Sequence, residues 1–341
     1  MKKEKTELIA ELAQGFEGSV KIAKKLIIGS YKGKADAVKF QLVFADEICT
    51  NDYKDFKIFR KLELTFKQWK EIRNFSKKYK LKFYVDIFGL KSLKFAKKIN
   101  ADGIKIHPTD INNYELFKSI KSFKFRKIFI GIGGAKLKEI ETVIKYFKNQ
   151  KEIIFLTGFQ VYPTPVHSNQ ISRIMFLKNK FKIKNLNYGF ADHSLPKTPK
   201  NNISMFLSIG AGAKYIEKHL TIPYHKKLED HESAYLPNEF KKLKLSLSVA
   251  DKSFGYIDKG DSKEIYLSKE EKKYRLNVER NFISKRFIKK GGKLNQNHFL
   301  FIRSPNKKAI KNLSAIKNKI LKKDLYKNSV LTKNHIKWKE N

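Results

Sequence analysis

Two short apolar runs in the second half of the chain each end in a histidine. The first is Asn187-Tyr188-Gly189-Phe190-Ala191-Asp192-His193-Ser194, and the second is Ala213-Lys214-Tyr215-Ile216-Glu217-Lys218-His219-Leu220-Thr221. Between them, Ile203 to Ala211 has helical spacing with glycines at 210 and 212. Strand, helix, strand, with polar groups at both strand C-termini, is the edge where chemistry collects in parallel α/β proteins. His193 and His219 could bind one metal, because neutral imidazole is the commonest metal ligand. The alternative is two unrelated histidines capping strands.

Other strand ends offer matching groups. Glu11 closes the first apolar run. Lys39 and Gln41 lie on one face of the second, and Lys105 and His107 on one face of the fourth, because side chains alternate along a strand. Gln160 and Tyr162 follow the sixth, Asp192 stands beside His193, and Glu217 shares a face with His219. Lys39 and Lys105 sit inside apolar runs, Ala37-Val38-Lys39-Phe40 and Gly103-Ile104-Lys105-Ile106. A charge in such a run is seldom retained without a partner. Two lysines, carboxylates and two histidines at one mouth suit an anionic substrate, a divalent metal and acid/base work.

The elements that must position these groups alternate from the start. Apolar strand-like runs over 8–13, 37–43, 81–88, 103–107, 127–132, 152–157, 187–194 and 213–221 are separated by helical periodicity over 20–28, 66–79, 92–99, 113–123, 137–147, 171–181 and 203–211, with a last helix over 237–253. A long loop is expected over 46–55, and Lys197–Asn201 reads as an insertion in the loop after His193. Strands and helices alternating over roughly 250 residues have the size and pattern of a (β/α)8 TIM barrel. An open doubly wound sheet more often carries a glycine-rich dinucleotide turn, and Ala13-Gln14-Gly15-Phe16-Glu17-Gly18 does not fit that fingerprint. The expected division is a barrel domain over 1–257, a charged linker over 258–279, and a small β-rich domain over 280–341. In that last part Arg280–Ile288 and Phe299–Arg303 read as strands, Lys289–Leu294 as a glycine turn between them, and Asp324–Leu331 as a further turn and strand.

The chain has 341 residues and a net charge of +41, from 74 Lys+Arg against 33 Asp+Glu. Phosphate neutralisation makes nucleic acid the obvious partner for such a charge. The excess is mostly lysine, however, and it is spread along the whole chain instead of forming one stripe. Specific base and phosphate recognition favours arginine, so no specific nucleic acid is expected. A basic surface would still attract anionic substrates. Cys49 is the only cysteine, which excludes an internal disulfide and fits a reducing cytoplasm. No apolar run approaches membrane-spanning length, and the N-terminal residues do not read as a signal peptide.

Taken together, Ile9-Ala10-Glu11, Ala35-Asp36-Ala37-Val38-Lys39-Phe40-Gln41, Tyr162-Pro163-Thr164-Pro165, Asp192-His193-Ser194, Ile216-Glu217-Lys218-His219-Leu220-Thr221 and Asp230-His231 resemble the N-acetylneuraminate (sialic acid) synthases over nearly the whole chain. The part from about Arg280 is similar to that family's antifreeze-like (SAF) β-clip domain. The resemblance implies condensation of phosphoenolpyruvate with an open-chain hexosamine such as N-acetylmannosamine to give a nine-carbon 2-keto acid and phosphate. It implies a domain-swapped homodimer in which each cap closes the partner's barrel. It makes His193 and His219 ligands of Mn2+, with Mg2+ as the alternative. It assigns Lys39, Gln41, Lys105, Gln160, Tyr162 and Arg303 to substrate binding, and Glu11, Glu217 and Asp192 to catalysis. The alternatives are a non-catalytic sugar-binding homologue, or the same reaction on another sugar acceptor. The chain departs from the family where small hydroxyl residues surround the phosphate: Asp86, Pro108, Gly131 and Ala191 stand there, and Phe16 replaces a histidine. Asp86 beside a phosphate would repel it unless a lysine neutralises it.

Overall fold

The protein is described from a computed structural model, which covers residues 5–158, 161, 163–196, 202–255, 267–304, 309–310 and 316–336. Two compact units divide the chain, residues 1–256 and 257–341.

In the first unit, β1 (Glu7–Ala13), β2 (Ala37–Gln41), β3 (Lys82–Ile87), β4 (Gly103–Ile106), β5 (Ile128–Gly131), β6 (Ile153–Thr157), β7 (Leu186–Asp192) and β8 (Tyr215–His219) form a closed parallel barrel in sequence order. This is the (β/α)8 TIM barrel expected from the alternating pattern. Around it run α1 (Val20–Lys32), α2 (Ala45–Ile48), α3 (Phe56–Leu62), α4 (Phe66–Lys78), α5 (Leu90–Lys98), α6 (Tyr114–Ser122), α7 (Leu137–Phe147), α8 (Ser172–Lys180), α9 (Asn202–Ala211) and α10 (Pro237–Phe254). Local chemistry fixes their starts. Ser19 caps α1, and Thr65 and Gln68 form a capping box on α4. In α1 the buried apolar positions Ile22, Ala23, Leu26 and Ile27 fall on one helical face.

Strand alternation sorts the barrel interior into layers. Its middle is an apolar plug that includes Ile9, Tyr84, Phe129, Ile154, Leu156 and Tyr215. Below the plug, at the strand N-termini, Glu7 takes hydrogen bonds from Tyr84 at 2.5 Å and from Lys127 at 3.1 Å, and an ion pair from Lys82 at 2.5 Å. Lys127 also donates to the Tyr215 hydroxyl at 2.9 Å, which in turn donates to Glu152. Above the plug lies a charged layer described in the next section.

Two segments differ from the sequence-based expectation. The start of the supposed loop over 46–55 is the short helix α2. The Ala45 N–H donates to Glu63 at 2.9 Å, and Arg60 bridges Asp46 at 2.7 Å and Glu63 at 2.8 Å. The supposed linker over 258–279 contains α11 (Lys269–Val278), started by a capping box of Ser268 and Glu271. Its surface charge hid a helix that buries no residue.

The second unit pairs β9 (Arg280–Ser284) antiparallel with β10 (Phe299–Arg303). Its own apolar core includes Leu294, Leu321, Leu325, Leu331 and Ile336. Positive φ at Gly291 supports the expected glycine turn. The expected third strand around 324–331 is reduced to isolated bridges at Leu325 and Val330. No described helix is long and apolar enough to cross a membrane.

Burial alone would raise the Glu7 carboxyl; the Lys127 ammonium and the bonds from Lys82 and Tyr84 outweigh it and hold the group below its ordinary value. A carboxyl held low contributes stability that is full above the unfolded-state pKa and lost as pH falls through the folded one. Glu7→Gln is therefore expected to cost about 3 kcal/mol at pH 7, the scale for breaking a buried pair, measured by urea unfolding. The gap to wild type should close as pH drops below about 4. An unchanged midpoint at pH 7 would show that the lower cluster does not hold the barrel.

Candidate active site

Glu11 on β1, Lys39 on β2, Asp86 on β3, Lys105 on β4 and Glu217 on β8 point to the barrel axis directly above the plug, because each is two positions beyond an inward residue of its strand or neighbours one in register. All five are buried. Lys39 forms ion pairs with Glu11, with Asp86 Oδ1 at 2.7 Å and with Glu217 Oε2 at 3.7 Å. Lys105 pairs with Glu217 Oε1 at 2.7 Å and lies 4.0 Å from Asp86 Oδ2. Among the described residues, Asp86 Oδ2 and Glu217 Oε2 accept no hydrogen bond.

Three carboxyls thus meet two ammonium groups, all of them buried. Burial pushes Glu11 up to about 8, against Lys39 and with help from Glu217 and Asp86. Glu217 is equally buried, yet Lys105 and Lys39 hold it well below the carboxylate range. Neighbouring carboxyls driven apart in this way present one proton donor and one anion at neutral pH.

At the upper rim the rings of His193 and His219 lie 5.5 Å apart between centroids, and both residues are buried. Burial and the neighbouring His193 keep His219 neutral, well below the usual histidine value. Asp230, held in a left-handed conformation at φ 61°, brings Oδ2 to 3.8 Å from His219 Nδ1. Among the described residues no three His, Cys, Asp or Glu side chains converge on one point. The two imidazoles side by side could supply two ligands to a metal ion. Gln41 faces the same rim and accepts from Gln14 at 2.7 Å. His107, just past β4, bonds Thr109 Oγ1 at 2.8 Å, and burial lowers it to about 4.

Asp192 is a correction. It is fully buried, but on the helix-facing side of the sheet, where Lys218 Nζ meets its Oδ2 at 2.7 Å and Ser194 Oγ donates to Oδ1 at 2.7 Å. Lys218 alternates with the inward Glu217 and His219, and its pairing with Asp192 places both outside the barrel. Asp192 braces the turn into His193 and does not face the carboxyls it was expected to join. Phe16 also points away from the axis, into an edge-on cluster with Phe40 and Trp69 at 6.0 and 5.2 Å. Arg303 ends β10 of the second unit and is exposed. Gln160, Tyr162 and the segment 197–201 lie outside the described residues.

Asp86 is a site residue that the pattern of lysines alone did not bring out as a partner. Its signal was present in Phe83-Tyr84-Val85-Asp86-Ile87, an acid inside an apolar strand. The Asp86–Lys39 pair supplies the neutralisation this position requires. Pro108 and Gly131 touch: a Cβ on Gly131 would come within 2.5 Å of the Pro108 ring.

A closed parallel barrel with acids, ammonium groups and imidazoles gathered at its strand C-termini defines a barrel enzyme, with its reaction centre at that face. Residues 26–259 match the NeuB family, and the chain belongs to that family as an enzyme of the NeuB synthase type. It is 27% identical to an uncharacterized protein of Methanocaldococcus jannaschii, over 97% of this chain and 94% of that one. It is 30% identical to the N,N'-diacetyllegionaminic acid synthase of Campylobacter jejuni, over 84% of this chain and 87% of that one. Among solved structures, the sialic acid synthetase of Leptospira borgpetersenii superposes with a TM-score of 0.70 at 26% identity, covering 80% of this chain and 92% of that one.

With Glu11 as the proton holder, an infrared spectrum of the metal-stripped protein at pH 7 should contain a protonated-carboxyl band. That band should vanish in Glu11→Gln, and in wild type as pH rises past about 8. A band that survives the substitution would assign the proton elsewhere.

Proposed function

We propose that the protein condenses phosphoenolpyruvate with an open-chain N-acetylated hexosamine, releasing phosphate and a sialic-acid-type nonulosonate. The observation that carries this reading is the buried layer of Lys39, Lys105, Glu11 and Glu217 set directly below the paired rings of His193 and His219. Lys39 and Lys105 offer cations to the acid and phosphate groups of phosphoenolpyruvate. Gln41 at the rim, with Gln160 and Tyr162 of the loop after β6, would contact the sugar. A metal, Mn2+ or else Mg2+, held by His193 and His219 would supply Lewis-acid polarisation of the acceptor's aldehyde.

In the reaction, C3 of phosphoenolpyruvate bonds to the aldehyde carbon and positive charge develops at C2. Ionised Glu217 stabilises that charge, and protonated Glu11 supplies a proton to the new alkoxide. Water then adds at C2, giving one proton back to the Glu11 carboxylate, and the C2–O bond to phosphate breaks as the C2 hydroxyl becomes the ketone and its proton leaves with the phosphate. The relatives named as legionaminic acid and pseudaminic acid synthases support a nonulosonate product and keep other amino-sugar acceptors within the reading.

We read residues 280–341 as an antifreeze-like cap in a domain-swapped homodimer, with Arg303 reaching the partner's sugar site. Support comes from the outward Leu300, Phe301 and Ile302 next to Arg303. Exposed apolar side chains also stand on three consecutive barrel helices, Phe176 on α8, Leu207 on α9 and Val249 on α10. A second reading, sugar binding without catalysis, is favoured by one observation: carboxylates already meet the charge on both lysines.

Incubation with Mn2+, phosphoenolpyruvate and a panel of hexosamines that includes N-acetylmannosamine should release phosphate. His193→Ala and His219→Ala should each lower turnover by at least on the order of 100-fold, the loss expected for one electrostatic element of a site. Absence of phosphate release with every acceptor, alongside calorimetric sugar binding, would replace the first reading with the second.

A further inference from the structure

Asp86 has no step in the reaction above, yet it is only 1% exposed and touches both lysines that the reaction uses. Lys39 already meets three carboxyls within 4 Å and donates a hydrogen bond to Asp86 at 2.7 Å, so its charge is largely taken up before any substrate arrives. Lys105 is the more accessible of the two at 6% exposure, and it holds Glu217 closely but Asp86 only at 4.0 Å. The second oxygen of Asp86 accepts no hydrogen bond among the described residues. A buried carboxylate oxygen without a donor is a costly arrangement, and here it lies 4.0 Å from Lys105, the more accessible of the two lysines. The neighbouring space in front of Gly131 is filled by the Pro108 ring, so an anion finds no alternative seat there.

We propose that Asp86 is a built-in anion: its carboxylate takes the place on Lys39 and Lys105 that a substrate's phosphate or carboxylate group would occupy, and it must yield that place before the group binds. This rests on the reading that these lysines receive the anionic substrate, and it names the residue that sets the affinity for it. An incoming anion meets Lys105 first. It gains Lys39 only as Asp86 turns away, so binding is weakened by the strength of the internal pair. Removing the charge at position 86 frees a donor on Lys39 and takes one negative charge from the layer.

The test is calorimetry of inorganic phosphate and of phosphoenolpyruvate, each with the Mn2+-loaded full chain. Asp86→Asn should bind both at least ten-fold more tightly than wild type, and Asp86→Glu, which keeps the charge, should show no gain. Equal or weaker binding by a folded Asp86→Asn overturns the proposal. Asp86→Ser takes its place if the amide variant does not fold. Wild type gives a reading that needs no variant. With carboxyl-13C aspartate, saturating phosphate in the metal-free chain should shift one buried aspartate resonance, and an unmoved set of resonances counts against displacement. A ten-fold gain in binding without condensation by any variant would remove the proposed reaction but keep the internal anion. Condensation with an affinity indifferent to position 86 would do the reverse.

Discussion

Two lysine ammonium groups on the axis of a barrel are the constraint on which the upper half of this structure depends. Taking each out of water costs several kcal/mol after relaxation. The layer is tolerable only because Glu11, Asp86 and Glu217 arrive at the same height from three other strands. That height is set from below. The plug of Tyr84, Phe129, Leu156 and Tyr215 fills the axis, so charged side chains one inward step further along each strand have nowhere to go but up. The two histidines then stand at the strand ends, above the charges, on the face where loops can bring a substrate.

The lower end of the same barrel solves the same problem differently. Glu7 is also buried against lysines, but two tyrosine hydroxyls join its network, and Lys127 is shared between Glu7 and Tyr215. Nothing there is short of a partner among the described atoms. The upper layer has more acid than base and, among the described residues, leaves two carboxylate oxygens without donors. A network built only for stability has no reason to keep that imbalance. Polar groups left short at the strand C-termini and satisfied at the N-termini separate the working end of the barrel from the structural one.

Much of this was legible in the sequence, for identifiable reasons. Period-two alternation put Lys39 with Gln41 and Glu217 with His219, and the barrel keeps those pairs on its axis. Asp192 and His193 were read together only as neighbours at a strand end, yet adjacent residues of a strand face opposite sides. Asp192 is the last outward residue, and His193 belongs to the turn, free to point inward. Asp86 was visible as an acid in an apolar strand, but its partner lies 47 positions away, and no local pattern encodes that distance. The helix over 269–278 carried its capping box in plain sight, Ser268 and Glu271, yet it buries nothing, so it lacks the apolar stripe by which helices are read. Loop residues such as Asp230 reach the site through a left-handed turn that composition does not announce.

The four departures expected around the phosphate, Asp86, Pro108, Gly131 and Ala191, are not independent of one another. Gly131 must stay small because Pro108 leans on it, and the pair acts as one filled volume beside Lys105. Asp86 flanks Lys105 on the other side in register. Ala191 neighbours Glu217, and the turn after β6 passes so close that a Cβ on Gly158 would come within 2.4 Å of the Ala191 carbonyl oxygen. These positions therefore gather around the two ammonium groups and the neighbouring Glu217. A chain drifting away from function would be expected to lose buried charges first, since each is expensive and replaceable by a well-packed apolar side chain. Asp86 is instead a charge that is buried and paired. Five buried charges held together at that cost argue for a layer that is still in use.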